Sequence, residues 1–482
     1  MPREDYEVVI GLEVHAELAT KTKIFCSCPT EFGGAPNTHV CPVCMAMPGS
    51  LPVLNEKVVE YAVKAGLATG CEISRDSKND RKNYFYPDTP RAYQISQFDK
   101  PLCEHGNIEI ETENGVKTIG ITRIHIEDDA GKLNHDPYGN GSLVDLNRAG
   151  VPLIEIVSEP DLRSSKEAEE YLKKLKAILE YIEVSDCKMQ EGSLRADVNV
   201  SIMPKGSNKF GTRTEMKNLN SFRSMVRAIE YEIDRQVEVI DNGGVISQET
   251  LRWDDVSGKT FSMRSKEDAQ DYRYFPEPDL VAIRLSEEYI ENIKNNLPEM
   301  PESRRERYLS EYGLSEKDAN ILTSSKYLSN IFEKASNICG NRKAVANWLL
   351  SDVSRILNEK ELEIDQIPFT AESLAELVSL IDKGTISSAI AKKVLEEMFE
   401  DSTKMPSKII EEKGWVQISD EGAIKEVVLK ILEANAQSVA DYKAGKDKAL
   451  GFLVGQAMKE TRGKANPQML NKMFIEEINK LN

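Results

Sequence analysis

Hydrophobic and polar side chains alternate along residues 10–18, which read IGLEVHAEL. Successive side chains of a β-strand point to opposite faces, so the apolar even-numbered positions form a core face. The opposite face carries Glu13, His15 and Glu17. The pattern therefore predicts a strand with one polar face, on which an imidazole lies between two carboxylates.

Three further segments show the same two-residue period. Their polar positions are Arg123, His125, Glu127 and Asp129 in 121–129, Arg195, Asp197, Asn199 and Ser201 in 193–202, and Arg213, Glu215 and Lys217 in 212–218. An antiparallel sheet often has one solvated, charged face, and we prefer that interpretation for any single strand. Taken together, the four faces are rich in short acids, Asn, His and Arg, and this composition favours a binding site.

Helical periodicity interrupts the strands and then continues to the end of the chain. Helices are predicted at 56–69, 165–182 and 220–239, and further along at 302–312, 315–323, 327–337, 342–358, 371–382, 386–399, 421–434, 436–444, 446–460 and 466–480. Because strands and helices do not alternate regularly, we predict an α+β fold with a largely antiparallel sheet, followed by helices only. The proline-containing segment 295–308 indicates a domain junction, and 401–406 indicates a softer one.

The composition is typical of a globular protein, with 40% hydrophobic and 29% charged residues. No apolar run is long enough to span a bilayer, and the first residues lack the pattern of a secretory signal or a transit peptide. We therefore expect a cytoplasmic protein. The net charge of −18 argues against binding of nucleic acid over the whole surface and restricts it to local basic patches.

The polar strand faces combine the groups that bind a metal-bound phosphate. Hard cations such as Mg²⁺ take carboxylate oxygens and water, and they are often shared with a nucleotide phosphate. Neighbouring Arg and Lys side chains balance the phosphate charge. We interpret Glu13, His15 and Glu17 as one wall of such a site. The sequence has no P-loop, GxGxxG, kinase catalytic-loop or GxSxG motif, so ATP would be bound by another route.

A cysteine cluster lies in residues 26–44, which read CSCPTEFGGAPNTHVCPVC. Cys26 and Cys28 form one close pair, and Cys41 and Cys44 form a second. Four thiolates in two pairs suit a tetrahedral, closed Zn²⁺ site that stabilises structure. Four free cysteines or two disulfides are the alternatives, and both are less favoured in a cytosolic chain.

Two segments combine basic residues with features of a contact surface. Residues 81–98, RKNYFYPDTPRAYQISQF, place basic groups beside aromatic ones, which suits either a nucleotide or RNA end or a half-buried hairpin with aromatic packing. Residues 441–470 carry more basic than acidic groups and two glycines, Gly451 and Gly455, four positions apart. We interpret this second segment as an RNA-backbone patch, although a solvated helix face is the usual meaning of such a charge run.

Long motifs of the chain resemble the B subunit of the heterotrimeric aspartyl/glutamyl-tRNA amidotransferases. The matching segments include VIGLEVHAEL, the CxC–CxxC insert, DRKNYFYPDTPRAYQISQF, ITRIHIEDDAGK, EGSLRADVNVSI, DYRYFPEPDL and DYKAGKDKALGFLVGQAMK. The resemblance implies an N-terminal cradle domain over 1–293, similar in fold to glutamine synthetase and guanido kinases. It further implies a helical domain over 294–406 and a YqeY-like helical tail over 407–482.

The resemblance also implies an activity and partners. Members of the family use ATP to phosphorylate the side-chain carboxylate of Glu-tRNA(Gln) or Asp-tRNA(Asn), and ammonia then displaces the phosphate. A glutaminase A subunit supplies the ammonia, and a small C subunit supports the complex. Mg²⁺ serves the phosphoryl transfer, and the zinc is structural. A zinc-containing, non-catalytic tRNA scaffold is the alternative function for this chain.

The resemblance and, for the tRNA contacts, the basic segment 441–470 together give four groups of expected site residues. The catalytic positions are Glu13, His15, Glu127, Asp128 and Asp197, of which all but Asp197 are expected at Mg²⁺. The expected substrate contacts are Lys82, Tyr84, Arg195, Asn199 and Lys217. The zinc ligands are the four cysteines of 26–44, and the expected tRNA contacts are Lys443, Lys446, Lys448, Arg462 and Lys464. Strand phase puts Asp128 opposite Glu127, so either the strand ends there or only one of the two reaches the metal.

Overall fold

The computed structural model of the chain describes residues 3–135, 139, 141–265, 272–415, 421–461, 465 and 467–480. The chain divides into two compact units, Met1–Pro301 and Glu302–Asn482. This division falls within the junction that the prolines of 295–308 indicate. The finer boundaries at 293 and 406 stay predictions.

In its described residues the first unit contains the strands and four α-helices. Its strands are β1 Tyr6–Glu17, β2 Glu72–Ile73, β3 Asp76–Ser77, β4 Asp80–Asn83, β5 Tyr93–Ser96, β6 Cys103–Thr112, β7 Gly115–Asp128, β8 Lys132–His135, β9 Ser142–Asp145, β10 Pro152–Ser158, β11 Leu194–Pro204, β12 Thr214–Lys217, β13 Glu249–Asp254, β14 Lys259–Ser265, β15 Phe275–Pro276 and β16 Ile283–Arg284. Its helices are α1 Glu56–Ala68, α2 Ser165–Tyr181, α3 Phe222–Asp241 and α4 Glu287–Asn295.

Nine of these strands form one sheet in the order β14-β13-β12-β11-β1-β10-β7-β6-β2. Neighbouring strands within it run antiparallel, except that β12 and β13 are parallel. The predicted α+β class with a largely antiparallel sheet is therefore confirmed. A separate small sheet joins β15, β4 and β5, and it holds the basic and aromatic segment 81–98 beside the large sheet.

The strict alternation of β1 decides which face of the sheet is buried. Ile10, Leu12 and Val14 are 0–1% exposed and belong to one continuous hydrophobic core with α1, α2 and α3. Side-chain caps begin these helices, since Asn55, Ser164 and Ser221 accept hydrogen bonds from the first-turn backbone. The helices cover one face of the sheet, so the polar face of β1 is turned away from this core.

The second unit is helical in its described residues, as expected. Its helices are α5 Pro301–Ser310, α6 Glu316–Thr323, α7 Lys326–Cys339, α8 Arg342–Trp348, α9 Ser354–Glu359, α10 Ala371–Asp382, α11 Ser388–Glu400, α12 Pro406–Lys413, α13 Glu421–Ala434, α14 Ala436–Lys443, α15 Lys448–Glu460 and α16 Pro467–Lys480. The buried residues form one core between Tyr308 and Ile410 and a separate core between Ile424 and Ile478. None of the helices in the described part has the length and apolar character of a bilayer span.

The structure differs from the predicted helices in three places. The sequence pattern missed α4 and α12, which are short helices of nine and eight residues. The single helix predicted at 342–358 is interrupted by a π-helical turn at Leu349–Val353. An apolar period cannot reveal this turn, because the buried residues Leu349 and Val353 fit α-helical spacing equally well.

Candidate active site

The strand register brings polar residues of four strands into one row on the uncovered face of the sheet. His15 of β1 pairs with Arg195 of β11 on one side and with Glu155 of β10 on the other. Glu155 in turn pairs with His125 of β7. Because directly paired side chains of neighbouring strands lie on the same face, the row runs Arg195, His15, Glu155, His125.

His15, Glu127 and Glu155 form a group whose ligand atoms all lie within 4.8 Å of one another. His15 Nε2 is 3.3 Å from a Glu155 oxygen and 3.6 Å from a Glu127 oxygen. His125 Nε2 lies 3.6 Å from Glu155 and 3.8 Å from Glu127. Ligands of one small divalent cation lie about 3–3.5 Å apart, so the group fits a metal.

The protonation of this group is set by burial and by close opposite charges. Burial lowers the pKa of His15, but contact with Glu155 and the charge of Glu127 outweigh burial, so the pKa lies above its ordinary value. Burial raises the pKa of Glu127 and Glu155, but the charges of Lys82 and the histidines bring both below the ordinary value. Two buried, ionised carboxylates repel each other, and a divalent cation bound by their oxygens would offset that repulsion.

Glu155 is a site residue that the sequence pattern did not predict. It is the one charged residue of β10, PLIEIVS, where the other six residues are apolar or Ser and five of them are buried. A charged residue that stays buried in such a strand needs a partner, and this signal could have found it.

Asp128 lies on the opposite face of β7 from Glu127. The strand continues through Asp128, so the alternative in which it ends earlier does not hold. The Asp128 carboxylate accepts hydrogen bonds from the Arg91 guanidinium and from the backbone N–H of Ile95, the latter at 2.7 Å. Asp128 therefore connects the large sheet to the segment around β5, and the structure does not bring it to His15.

A second cluster surrounds Glu13, which lies on the same face of β1, two residues before His15. Asn199 donates to a Glu13 oxygen at 3.0 Å, and Lys217 contacts both Asp197 and Glu215. Burial, followed by the negative charges of Glu155, Glu215 and Asp197, raises the pKa of Glu13. The predicted residues Glu13, Asp197, Asn199 and Lys217 are thus brought together, beside the group that contains His15.

The third predicted wall residue, Glu17, belongs to a different local network. It is near Asp129, whose carboxylate is 3.0 Å from Arg195 and 3.4 Å from Arg148. Burial and the negative charge of Asp129 raise the pKa of Glu17 to about 8. Arg195 is therefore held by Asp129, although its position in the sheet is beside His15.

The segment 81–98 uses its basic residues in two ways. Arg81 and Arg91 are structural, since they pair with Glu277 and Asp128. Lys82 has a raised pKa because the charges of Glu127 and Glu155 outweigh its burial. It lies 5.3 Å from the Tyr272 ring centroid, and Tyr84 packs edge-on against the same ring. The half-buried hairpin with aromatic packing is therefore present, whereas binding of a nucleotide or an RNA end stays a prediction.

The four cysteines of 26–44 converge, with all sulfur atoms within 4.8 Å of one another. All eight cysteines of the chain lie in described residues, and each is free. The hydrogen bond from Cys26 lowers the pKa of the Cys44 thiol to about 4. Lys23, fully buried, donates to the backbone oxygens of His39 and Leu146 and puts a positive charge near this cluster. The arrangement fits a closed tetrathiolate metal site.

The predicted basic patch of the tail is only partly described. Lys443, Lys446 and Lys448 are exposed at the end of α14 and the start of α15. Arg462 and Lys464 lie outside the described residues. Gly451 and Gly455 are also exposed, and a Cβ added at either would meet no atom within 4 Å. The helix can therefore be approached closely at these glycines.

Comparisons with known proteins identify the family to which this chain belongs. Residues 8–291 match the family model described as the GatB/GatE catalytic domain, and residues 330–478 match the one described as the GatB domain. The first unit thus falls in a class of catalytic domains, and the second carries the accompanying helical domain. The chain belongs to the GatB family.

Full-length relatives agree with this assignment. The chain is 63% identical to the B subunit of the aspartyl/glutamyl-tRNA(Asn/Gln) amidotransferase of Caldicellulosiruptor bescii, over 99% of this chain and 100% of that protein. Proteins of the same name from Thermoanaerobacter pseudethanolicus and Clostridium tetani are 61% and 57% identical, over 98% and 99% of this chain and 100% of each relative. The resemblance stated from the motifs is confirmed.

Proposed function

We propose that the chain is the B subunit of a tRNA-dependent amidotransferase and carries its ATP-dependent ligase site. The substrate is the side-chain carboxylate of Glu-tRNA(Gln) or Asp-tRNA(Asn). A carboxylate oxygen attacks the γ-phosphorus of ATP, ADP leaves, and an acyl phosphate forms. Ammonia then attacks the acyl carbon, phosphate leaves, and the nitrogen loses a proton to give Gln-tRNA(Gln) or Asn-tRNA(Asn).

The observation that carries this proposal is the group formed by His15, Glu127 and Glu155, with cations on both sides, in the domain that matches a catalytic family model. We assign a Mg²⁺ site to these three residues, and a bound Mg²⁺ would neutralise phosphate charge. Lys82 and Lys217 add positive charge around the reacting groups. Asn199 orients Glu13 through its hydrogen bond. The helices that cover the other face of the sheet exclude water from that side.

Partners and domains follow from the same proposal. A glutaminase A subunit supplies ammonia, and a small C subunit completes the complex. We assign residues 1–293 to a cradle domain of the glutamine synthetase and guanido kinase type, 294–406 to a helical domain and 407–482 to a YqeY-like tail. The helical parts hold the tRNA, and the cysteine cluster holds a structural Zn²⁺.

The test uses the chain assembled with its A and C subunits. Glu-tRNA(Gln), ATP, Mg²⁺ and ammonium chloride are supplied without glutamine, and Gln-tRNA(Gln) is measured. Glu127→Gln is expected to lower the rate by about 100-fold or more, since it removes a charge at the reacting phosphate. Glutamine hydrolysis by the A subunit should persist. Glu109→Gln is the control, because Glu109 is exposed on β6.

Asp128→Asn separates the two adjacent acids. Asp128 accepts hydrogen bonds from Arg91 and from the Ile95 backbone, so the substitution is expected to lower the melting temperature. The amidation rate, measured well below that temperature, is expected to change little. Equal amounts of product from wild type and Glu127→Gln would show that the ligase site is not on this face of the sheet. That result would favour the alternative function, a non-catalytic tRNA scaffold. In that case deletion of residues 407–482 would abolish activity while the sheet variants kept it.

A further inference from the structure

The cations around the site carboxylates are not equally engaged. Lys217 contacts Asp197 and lies 3.1 Å from Glu215, and Arg195 lies 3.0 Å from Asp129. These two are therefore neutralised by acids of the protein. In the part of the chain that the structure describes, neither Lys82 nor Arg123 donates a hydrogen bond to a carboxylate, so both keep donors for a ligand.

Arg123 is on one of the polar strand faces that the sequence predicts, but the family motifs assign it no role. It lies on the same face of β7 as His125 and Glu127, two and four residues before them. Its Nη2 is 4.0 Å from a Glu155 oxygen, which is an ion-pair distance and too long for a hydrogen bond. The Arg123 side chain is 39% exposed, so a ligand can reach its outer edge.

The guanidinium also has an unused inner donor. Arg123 Nε is buried, and no hydrogen-bond acceptor for it exists among the described residues. A buried donor without an acceptor is costly, and structures rarely keep one without a reason. Its neighbour Glu155 belongs to the group that fits a metal, so an anion bound there would lie within reach of this guanidinium.

The sheet register shows what faces Arg123 across the site. Arg123 pairs with Val157 of β10, Val157 with Glu13 of β1, and Glu13 with Asp197 of β11. Neighbouring strands are about 4.8 Å apart, so Arg123 and Glu13 are separated by about 10 Å across an apolar side chain. Beyond Arg123 the row continues to Glu104 of β6, and Lys217 lies beside Asp197 on the other side of Glu13. The carboxylates of Glu13 and Asp197 lie between the two cations Arg123 and Lys217.

We infer that Arg123 binds an oxyanion of a substrate at this site, and this inference rests on the proposed function. The planar guanidinium suits two parallel hydrogen bonds to a phosphate or a carboxylate. Two sources share this chemistry: the terminal phosphate of ATP and the side-chain carboxylate carried by the tRNA. Its contact with Glu155 puts Arg123 beside the phosphate-binding side of the metal group, so the phosphate is the expected source.

The test measures substrate binding as well as activity, in the complex with the A and C subunits. Calorimetry gives the affinity for a non-hydrolysable ATP analogue with Mg²⁺, and ammonium-dependent amidation gives KM for ATP and for Glu-tRNA(Gln). Arg123→Gln is expected to weaken analogue binding by about 10- to 100-fold and to raise KM for ATP in parallel. Arg123→Lys keeps the positive charge but cannot form the two parallel hydrogen bonds of a guanidinium, so an intermediate loss of analogue affinity is expected.

Arg284→Gln is the matched control, since Arg284 is an 84% exposed arginine of the same unit. A raised KM for Glu-tRNA(Gln) with unchanged analogue binding would assign the oxyanion to the tRNA-borne carboxylate. Unchanged analogue affinity together with two unchanged KM values would overturn the role of Arg123. If wild type forms no product from ammonium but Arg123→Gln still weakens the analogue, the proposed function fails and the oxyanion role stands.

Discussion

At the scale of single residues, the pair of Arg81 and Glu277 shows how a buried charge is kept ionised. Arg81 donates to both oxygens of Glu277, at 2.7 and 2.8 Å, and connects β4 with β15. The Glu277 side chain is fully buried. Burial raises its pKa, but the hydrogen bonds from Arg81 and from the Asp279 backbone outweigh burial, so the pKa lies below the ordinary 4.5. Ionised Glu277 therefore stabilises the fold.

Glu277→Gln is expected to lower the free energy of unfolding at pH 7 by about 2 kcal/mol, because Arg81 loses its buried carboxylate partner and, among the described carboxylates, keeps only Asp279, at 3.5 Å. A depressed pKa contributes stability above the unfolded value of 4.5, and that contribution is lost as pH falls through the folded pKa. The difference between wild type and variant should therefore narrow below about pH 4.5. Denaturant unfolding of the full chain between pH 7 and pH 4 measures it, and a difference independent of pH would contradict it.

The residue scale also separates what spacing could and could not reveal. Alternation along β1 predicts that Glu13, His15 and Glu17 share one face of the strand, and the structure shows these three residues on one face. Alternation cannot reveal that Glu17 joins Asp129 and Arg148, because that contact depends on where the end of β7 lies. Glu155 was missed because its strand has no polar period to mark it.

At the scale of elements, the insert of residues 26–44 has almost no regular secondary structure and no continuous core of its own. Such a segment depends on cross-links for its conformation, and the four converging cysteines can provide a cross-link by binding a metal. The buried Lys23 joins the insert to the loop at Leu146 by its two hydrogen bonds. If the cysteines hold the proposed zinc, its removal should loosen the insert while the sheet stays folded.

Cys41→Ser is expected to lower zinc affinity by more than about 100-fold, since loss of even an outer-shell partner costs 10- to 100-fold. Bound zinc, measured by mass spectrometry of the purified complex, should fall from one per chain, and the melting temperature should fall with it. Cys339→Ser is the control, because Cys339 lies in α7, outside the cluster. Unchanged zinc content and melting in Cys41→Ser would show that the ligands are other residues.

At the scale of the whole molecule, a net charge of −18 has to be reconciled with the proposed tRNA substrate. Long-range attraction cannot come from the total charge, so binding depends on local clusters such as Lys443, Lys446 and Lys448. Their exposure at the end of α14, at the start of α15 and in the segment between the two helices is compatible with phosphate contacts. Lys446 also lies 3.1 Å from Asp441, so part of its charge is balanced within the tail.

The affinity of the assembled complex for tRNA is expected to fall as salt rises, because bound phosphates release counterions. Replacing Lys443, Lys446 and Lys448 by Gln should reduce the slope of log affinity against log salt by about one for each lysine that contacts phosphate. The control replaces Lys57, Lys166 and Lys173, which are exposed on α1 and α2 and give the same change in net charge. A salt-independent affinity, or equal slopes in both variants, would contradict the patch.

The sequence by itself determined the α+β class, most helices, the polar face of β1 and the cysteine cluster. Each of these follows from local rules: side-chain period, capping residues, or ligands close together along the chain. The motifs also determined the GatB family, which the comparisons confirm.

Only the tertiary structure decided which acids meet. Strand order and register put His15, Glu127 and Glu155 together from three strands that are far apart in the sequence, and they put Asp128 on the other face with Arg91. The reason is physical: a one-residue shift in the pairing would turn every side chain of a strand to the opposite face. The register is fixed by the whole apolar core of the sheet, which no single segment contains.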